Sequence, residues 1–155
     1  VSESFLLTPD EAVEAMRRGD VVACPAEGVW GLSCNPFSED AVKRLLDIKR
    51  RPEAKGLILI AADVAETAAL TQCLSVQIQQ RIRDSWPGHV TWILPDVSNR
   101  FPGWIKGGHR RLAVRVSAHP PLQALAARMG GWMVSTSANI SGKSTLTSPD
   151  AIHRC

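Results

Sequence analysis

Apolar residues along this chain switch between a period near 3.6 and a period of 2, and the switches outline alternating helices and strands. The first helix is signalled at Thr8, which suits an N-cap. Pro9 fits the first helical position, Glu11 completes a capping box and Gly19 supplies the stop. Ala12, Val13 and Met16 form its apolar stripe. Residues 21–24 read as a short strand ended by Pro25, and residues 29–33 as a second strand after a turn at Glu27 and Gly28. Ser38 caps the next helix, whose Val42, Leu45 and Leu46 recur at helical spacing. Pro52 then disfavours helical geometry at Arg51 and lifts that side chain out of the helix.

A continuous apolar run at 57–61 predicts a strand buried on both faces. Asp63 and Glu66 open a short helix, and Ser75 starts another carrying Val76, Ile78 and Ile82, broken at Trp86, Pro87 and Gly88. Strands follow at 90–94 and 112–116, separated by a loop rich in Gly and Pro. A helix at 120–129 stops at Gly130 and Gly131, a strand spans 132–134, and Ser148 with Pro149 and Asp150 marks a fresh helix start. This alternation predicts one three-layer α/β domain over residues 1–155, with a mainly buried sheet.

Composition is that of a globular chain: 155 residues, 45% hydrophobic and 21% charged, enough to bury a core unaided. No apolar run approaches a membrane span, so no membrane association is expected. Cys24, Cys34, Cys73 and Cys155 lie far apart, without a CxxC pair or histidines at zinc spacing. They read as reduced thiols of a cytoplasmic protein, and no metal site is expected. The net charge is only +3, but cations crowd at 43–55, and Lys106, Arg110, Arg111 and Arg115 form a second group. Two local clusters point to an anionic partner more than the total does.

Lys49, Arg51 and Lys55 surround the break at Pro52. A helix end, whose dipole favours cations, accounts for Lys49 and Arg50, but not for a further cation beside Gly56 and a buried strand. Ser135, Thr136, Ser137 and Asn139 follow a short apolar strand, the usual place for ligands in open α/β sheets. Cations with convergent hydroxyls suit a polyphosphate. The same hydroxyls would otherwise satisfy their own backbone, and spacing alone leaves both readings open. Gly142, Lys143 and Ser144 do not make a P-loop, because Ser137 stands where its first glycine belongs and a poor helix start follows. His89, His109, His119 and His153 show no ligand or triad spacing, and Glu27 and Asp96 lack a nearby carboxylate for paired acid–base chemistry. Trp30, beside the glycine turn, is a candidate pocket wall.

Five blocks in order, CPAEGVWGLSCNP, LLDIKRRPEAKGLILI, WPGHVTWILP, LAVRV and VSTSANISG, resemble the L-threonylcarbamoyladenylate synthases of YrdC-like fold. The resemblance covers nearly the whole chain. It implies a twisted mixed sheet flanked by helices, with a concave basic cleft. It also implies a nucleotidyltransferase that joins L-threonine, bicarbonate and ATP with Mg²⁺, releases pyrophosphate, and feeds transferase proteins that modify adenosine 37 of tRNA.

Carried over block by block, Arg51 and Lys55 would contact ATP, with Lys49 lining the same basic wall as a third catalytic cation. Ser135, Ser137 and Asn139 would lie along the nucleotide, with Thr91 nearby. Arg115 would face the threonine carboxylate beside Trp30, and Ser148 would close the far side. One departure is Ala26, which stands where the family usually has threonine and so removes a hydroxyl from the amino-acid pocket. Another is length: the strand and helix that follow in short family members are expected to be absent after Cys155. Two other readings use the same residues. One is a non-catalytic module binding double-stranded RNA or tRNA, whose affinity would fall steeply with salt. The other is a carbamoyl-adenylate-forming domain of a hydrogenase-maturation protein, against which the lack of CxxC modules argues.

Overall fold

The structure, a computed structural model, describes residues 6–146 and Ser148. Helix α1 (Pro9–Arg17) begins with the expected capping box: Thr8 Oγ1 accepts from the Glu11 amide and the Glu11 carboxylate accepts from Thr8 N. Strands β1 (Val22–Pro25) and β2 (Trp30–Cys34) form a hairpin through a turn in which Gly28 takes a φ of 77°. Ser38 caps α2 (Glu39–Lys49), and Ala41, Val42, Leu45 and Leu46 bury its inner stripe. The helix ends with Arg50 in the left-handed region, φ 49°, and the Arg51 amide donating back to Leu46 O at 2.9 Å. Pro52 forbids another helical turn, so the chain accepts a strained arginine there, at about 1–2 kcal/mol.

A 3₁₀ turn at Glu53–Lys55 leads into β3 (Ile58–Ala61). After a second 3₁₀ turn come α3 (Ala68–Thr71), α4 (Val76–Ser85), β4 (Trp92–Pro95) and α5 (Gly103–Lys106). Then β5 (Arg111–Val116), α6 (Pro120–Arg128) and β6 (Trp132–Ser137) follow. The six strands lie in the order β1-β2-β6-β3-β5-β4, with β3 and β5 parallel and the other neighbours antiparallel.

The register separates two faces. On one, Leu32, Val134, Leu59, Val114 and Leu94 pack with residues of α2 to α5 into the larger core. On the other, Val22, Cys24, Ile60 and Met133 pack beneath Ala12, Val13 and Met16 of α1 and Leu122, Leu125 and Ala126 of α6. That cover is partial. Ile93 and Ile58, on the same face, are 60% and 38% exposed, and Ala113 pairs with both of them. The three layers therefore hold over part of the sheet and leave an open floor over the rest. No helix among the described residues is long and apolar enough to cross a membrane.

Four sequence expectations change. The 57–61 run is not buried on both faces, because Ile58 lies beyond the helical cover. The hydroxyl run does not follow β6 but forms its second half, because Ser135, Thr136 and Ser137 pair with Ser33, Leu32 and Gly31 of β2. Strand β4 starts at Trp92 rather than at residue 90, which leaves Thr91 outside it. In α4 only Ile82 is buried, while Val76 is 72% exposed. The helix start expected at 148–150 lies outside the described residues apart from Ser148, which is half-buried.

Candidate active site

Two adjoining hollows occupy the open floor and share Arg51, Leu57 and Ile58. The first, about 430 Å³, is walled by Ala26, Val29 and Trp30 on the β1–β2 side and reaches Arg115, Ser135 and Ser137. Alternation along β5 turns Leu112, Val114 and Val116 into the core and leaves Arg111, Ala113 and Arg115 facing out. Ser135 is nearly buried, yet its hydroxyl makes no hydrogen bond among the described residues, so it is free for a ligand. Gly31 sits opposite Ser137, and a Cβ there would come within 3.1 Å of Thr136 O and 3.8 Å of Ser135 Oγ. The absent side chain keeps this end of the hollow open.

Among the described residues, Glu27 supplies the only carboxylate lining either hollow. Its Oε1 accepts from the Ser117 hydroxyl, and its Oε2 lies 2.7 Å from His89 Nδ1 and 3.6 Å from Arg115 Nη1. Burial pushes the Glu27 carboxyl up, but Ser117, Arg115, His89 and His119 outweigh it and hold it below the usual carboxylate range. Arg115 is thus oriented by an ionised partner, while its buried Nε has no hydrogen-bond partner among the described residues.

The second hollow, about 480 Å³, lies toward β4 and α5. Lys55, His109, Arg110 and Arg111 reach it, and none of its lining residues is acidic. The side chains of Lys55, Arg110 and Arg111 are exposed and make no ion pair among the described residues. Lys106 differs: its buried amino group is 3.0 Å from Asp96 Oδ2 and 2.6 Å from Asn99 Oδ1, and so it is spent on the loop. Arg51 lies between the hollows, its Nε donating to Gly56 O at 3.1 Å.

Of the residues singled out from sequence, Ala26, Trp30, Arg51, Arg115, Ser135 and Ser137 meet in the first hollow, and Lys55 lines the second. Lys49 does not line the wall. Its side chain is buried, and the ammonium donates to Ser137 O at 2.5 Å, Asn139 O at 3.0 Å and Asn139 Oδ1 at 2.9 Å. Burial and the nearby Arg51 push its pKa down to about 8.

Asn139 is likewise committed, since its Oδ1 also accepts from Ser137 Oγ and its Nδ2 donates to Lys143 O. Lys49 and Asn139 brace the 137–143 loop from below. Thr91 is exposed and lines neither hollow. Sequence reading missed the Glu27–Ser117–His89 cluster, whose members are brought together only by the fold. It saw Arg110 and Arg111 as basic but gave them no place. The alternation in RLAVRV already put Arg111 on the face of Arg115.

Cys24 and Cys34 are buried and reduced, and burial pushes their thiols up to about 11 and about 12. Neither is a nucleophile at neutral pH.

The family model Sua5/YciO/YrdC, described as telomere recombination, matches residues 14–154. The threonylcarbamoyl-AMP synthase of Methylococcus capsulatus is 48% identical over 143 residues, covering 92% of this chain and 76% of that protein. The protein of the same name from Halorhodospira halophila is also 48% identical over 143 residues, covering 92% and 74%. The crystal structure of P. abyssi Sua5 complexed with L-threonine superposes with a TM-score of 0.83 at 32% identity. The match takes in 96% of this chain and 44% of that one.

Proposed function

The chain belongs to the Sua5/YciO/YrdC family, and from that premise and the form of its cleft we propose that it is a threonylcarbamoyl-AMP synthase acting in tRNA modification. The observation that carries this reading is the pair of joined hollows. One end offers an arginine beside an apolar wall, the other a group of cations that make no ion pair among the described residues, and Arg51 stands between. An amino acid and a nucleoside triphosphate need those two ends on one continuous floor.

The amine of L-threonine combines with bicarbonate to give the carbamate and water. A carbamate oxygen then attacks the α-phosphorus of ATP. The new P–O bond forms as the bond to the β-phosphate oxygen breaks, and its electron pair leaves on pyrophosphate. No protein nucleophile is required, so catalysis is positioning and charge stabilisation.

Arg115 takes the threonine carboxylate, held in place by Glu27, and Ala26, Val29 and Trp30 enclose the side chain. Arg51 and Lys55 face the phosphates, Ser135 donates along the nucleotide, and Ser137, whose proton goes to Asn139 Oδ1, accepts there. Thr91, just ahead of β4, lines neither hollow and is given no part in binding, and Ser148 is assigned to the far side of the cleft. Lys49 and Asn139 keep the serine-bearing loop in position.

Among the described residues no group of three or more His, Cys, Asp or Glu could hold a metal ion, and Glu27 is already engaged. Mg²⁺ therefore fits as part of the substrate MgATP, where it shares the phosphate charge. The adenylate passes to a separate transferase that modifies adenosine 37 of tRNA in the cytoplasm.

The test is pyrophosphate release from ATP and Mg²⁺ with threonine and bicarbonate omitted in turn. Release that requires both is expected. Folded protein that binds ATP yet releases none would overturn the reading. Duplex-RNA binding that collapses with salt, without turnover, would replace it with the RNA-module reading.

A further inference from the structure

Threonine is present at neutral pH as an ammonium ion, and only the free amine can attack bicarbonate. The reaction therefore begins with a proton that has to leave. Among the described residues lining the amino-acid hollow, His89 is the only imidazole, the side chain that ordinarily changes charge nearest neutral pH. His109 belongs to the second hollow, and the Nε2 of His119 is buried.

The backbone is tied down on both sides of His89. Gly88 N donates to Val116 O at 2.8 Å, and Trp86 Nε1 donates to Val90 O at 2.7 Å. These bonds set the residue at the end of β5, where Ser117 and Arg115 also meet Glu27. The Nδ1 of His89 lies 2.7 Å from Glu27 Oε2, yet the side chain is 81% exposed and Nε2 makes no hydrogen bond among the described residues. One nitrogen is set against a carboxylate, which leaves the other as the free base. Glu27 Oε2 is itself buried and accepts no aligned hydrogen bond among the described residues, so an imidazolium formed here has its counter-ion in place.

Arg115 Nη1 is 3.6 Å from that same oxygen. Under the synthase reading Arg115 holds the threonine carboxylate, and the ammonium sits on the adjoining carbon. An anchor for one group and a base for the other thus share a single oxygen of Glu27. The remaining charged or titratable groups around them are His119, which follows β5 and faces Glu27, and Arg51, which lines the same hollow.

We propose that His89, set against Glu27, is the general base of the first step and takes the ammonium proton of threonine on Nε2. The inference rests on the synthase reading and adds a catalytic residue to it. The N–H bond breaks with its electron pair left on nitrogen, and the ring becomes an imidazolium. The amine then attacks the carbon of bicarbonate. The C–OH bond breaks, and hydroxide leaves as water with a second amine proton. The carbamate keeps one N–H, and His89 returns its proton to solvent.

The experiment compares the parent chain with His89→Gln, which keeps a polar group at this position but cannot take the proton. The side chain is exposed, and a denaturant midpoint close to that of the parent chain checks that folding is retained. Forward turnover is read as pyrophosphate release with threonine, saturating bicarbonate and MgATP. Reverse turnover is read as ATP formed from pyrophosphate and threonylcarbamoyl-AMP made by the parent chain, a reaction that starts from an acylated nitrogen and needs no base. Forward kcat should fall by about tenfold or more, while KM for threonine and the reverse rate change less than about twofold. The forward deficit should shrink as pH rises from neutral, because solvent then strips the amine unaided.

Equal losses in both directions would overturn the proposal, since His89 would then act on the fold or the nucleotide rather than on the amine. An unchanged forward rate would overturn it in favour of solvent as the base, and a raised KM for threonine with kcat intact would reduce His89 to a binding residue. A parent chain that forms no threonylcarbamoyl-AMP would bring down the synthase reading and this inference together, whereas an active parent with an indifferent variant would bring down the inference alone.

Discussion

Replacing Lys49 with methionine keeps most of the side-chain length but removes an ammonium that sits buried beneath the 137–143 loop. That ammonium has three protons and three acceptors, Ser137 O, Asn139 O and Asn139 Oδ1, all within 3.0 Å. Even so, burial first, and the charge of Arg51 second, push its pKa from 10.5 to about 8. A depression of that size corresponds to roughly 3 kcal/mol against the charged form, at 1.36 kcal/mol per unit.

The sign follows from proton counting. Below pH 8 both folded and unfolded chains carry the proton, and the full penalty opposes folding. Between pH 8 and 10.5 the unfolded chain holds more protons, so this lysine's contribution to stability improves as pH rises. Lys49→Met has no such titration. Its stability relative to the parent chain should therefore decline by up to about 3 kcal/mol between pH 7 and pH 10.5.

At pH 7 the lost hydrogen bonds, about 1 kcal/mol for each orphaned acceptor, and the relieved desolvation nearly cancel. Pyrophosphate release should nevertheless fall by about tenfold or more, because Ser137 and Asn139 lose the anchor that sets their geometry. Urea unfolding followed by tryptophan fluorescence at four pH values, together with turnover at pH 7, measures both. Parallel stability profiles for the two proteins would refute the burial argument, and unchanged turnover would refute the anchoring role.

Glu27→Gln removes the charge that orients Arg115, so KM for threonine should rise with little change in KM for ATP, read from initial rates against each substrate. Because the Glu27 pKa is depressed in the fold, its stabilisation is present above the ordinary carboxylate value of 4.5 and is lost as pH falls through the folded value. The parent chain's stability advantage over Glu27→Gln should therefore shrink on acidification below that value, and an advantage that grows there would contradict the assignment. Ala26→Thr restores a hydroxyl to the amino-acid hollow and should lower KM for threonine by about fivefold, the equivalent of roughly 1 kcal/mol. A threonine KM unchanged or raised in that variant would place the amino acid elsewhere on the floor.

Local signals carried most of the fold. The capping box at Thr8 and Glu11, the Ser38 cap and the glycine stops are short-range chemistry and appear where the sequence put them. Long-range cover is what the pattern could not show. The 57–61 run looks uniformly apolar, yet Ile58 and Ile60 share a face and differ completely in fate, because α1 and α6 reach Ile60 and stop short of Ile58.

Lys49 misled for the opposite reason. A lysine at a helix end belongs in solvent by its type, and only the return of the 137–141 backbone over α2 makes it a buried strut. The Glu27 cluster needed the hairpin turn and the end of β5 to meet, a pairing between residues 90 apart in sequence.

The edge of the site, however, is written into residue type once the register is known. Along β6 the side chains on the open face run Met133, Ser135, Ser137, going from fully buried through nearly buried to exposed. That change takes place over about 13 Å of strand. On β3 the matching step from Ile60 to Ile58 keeps an aliphatic residue but loses its cover. Apart from Ile58 and Ile93, the aliphatic side chains of this face lie where helices exclude water. Hydroxyls, arginines and small residues begin where they do not, and that boundary divides the part of this face that stabilises the protein from the part left to bind a substrate.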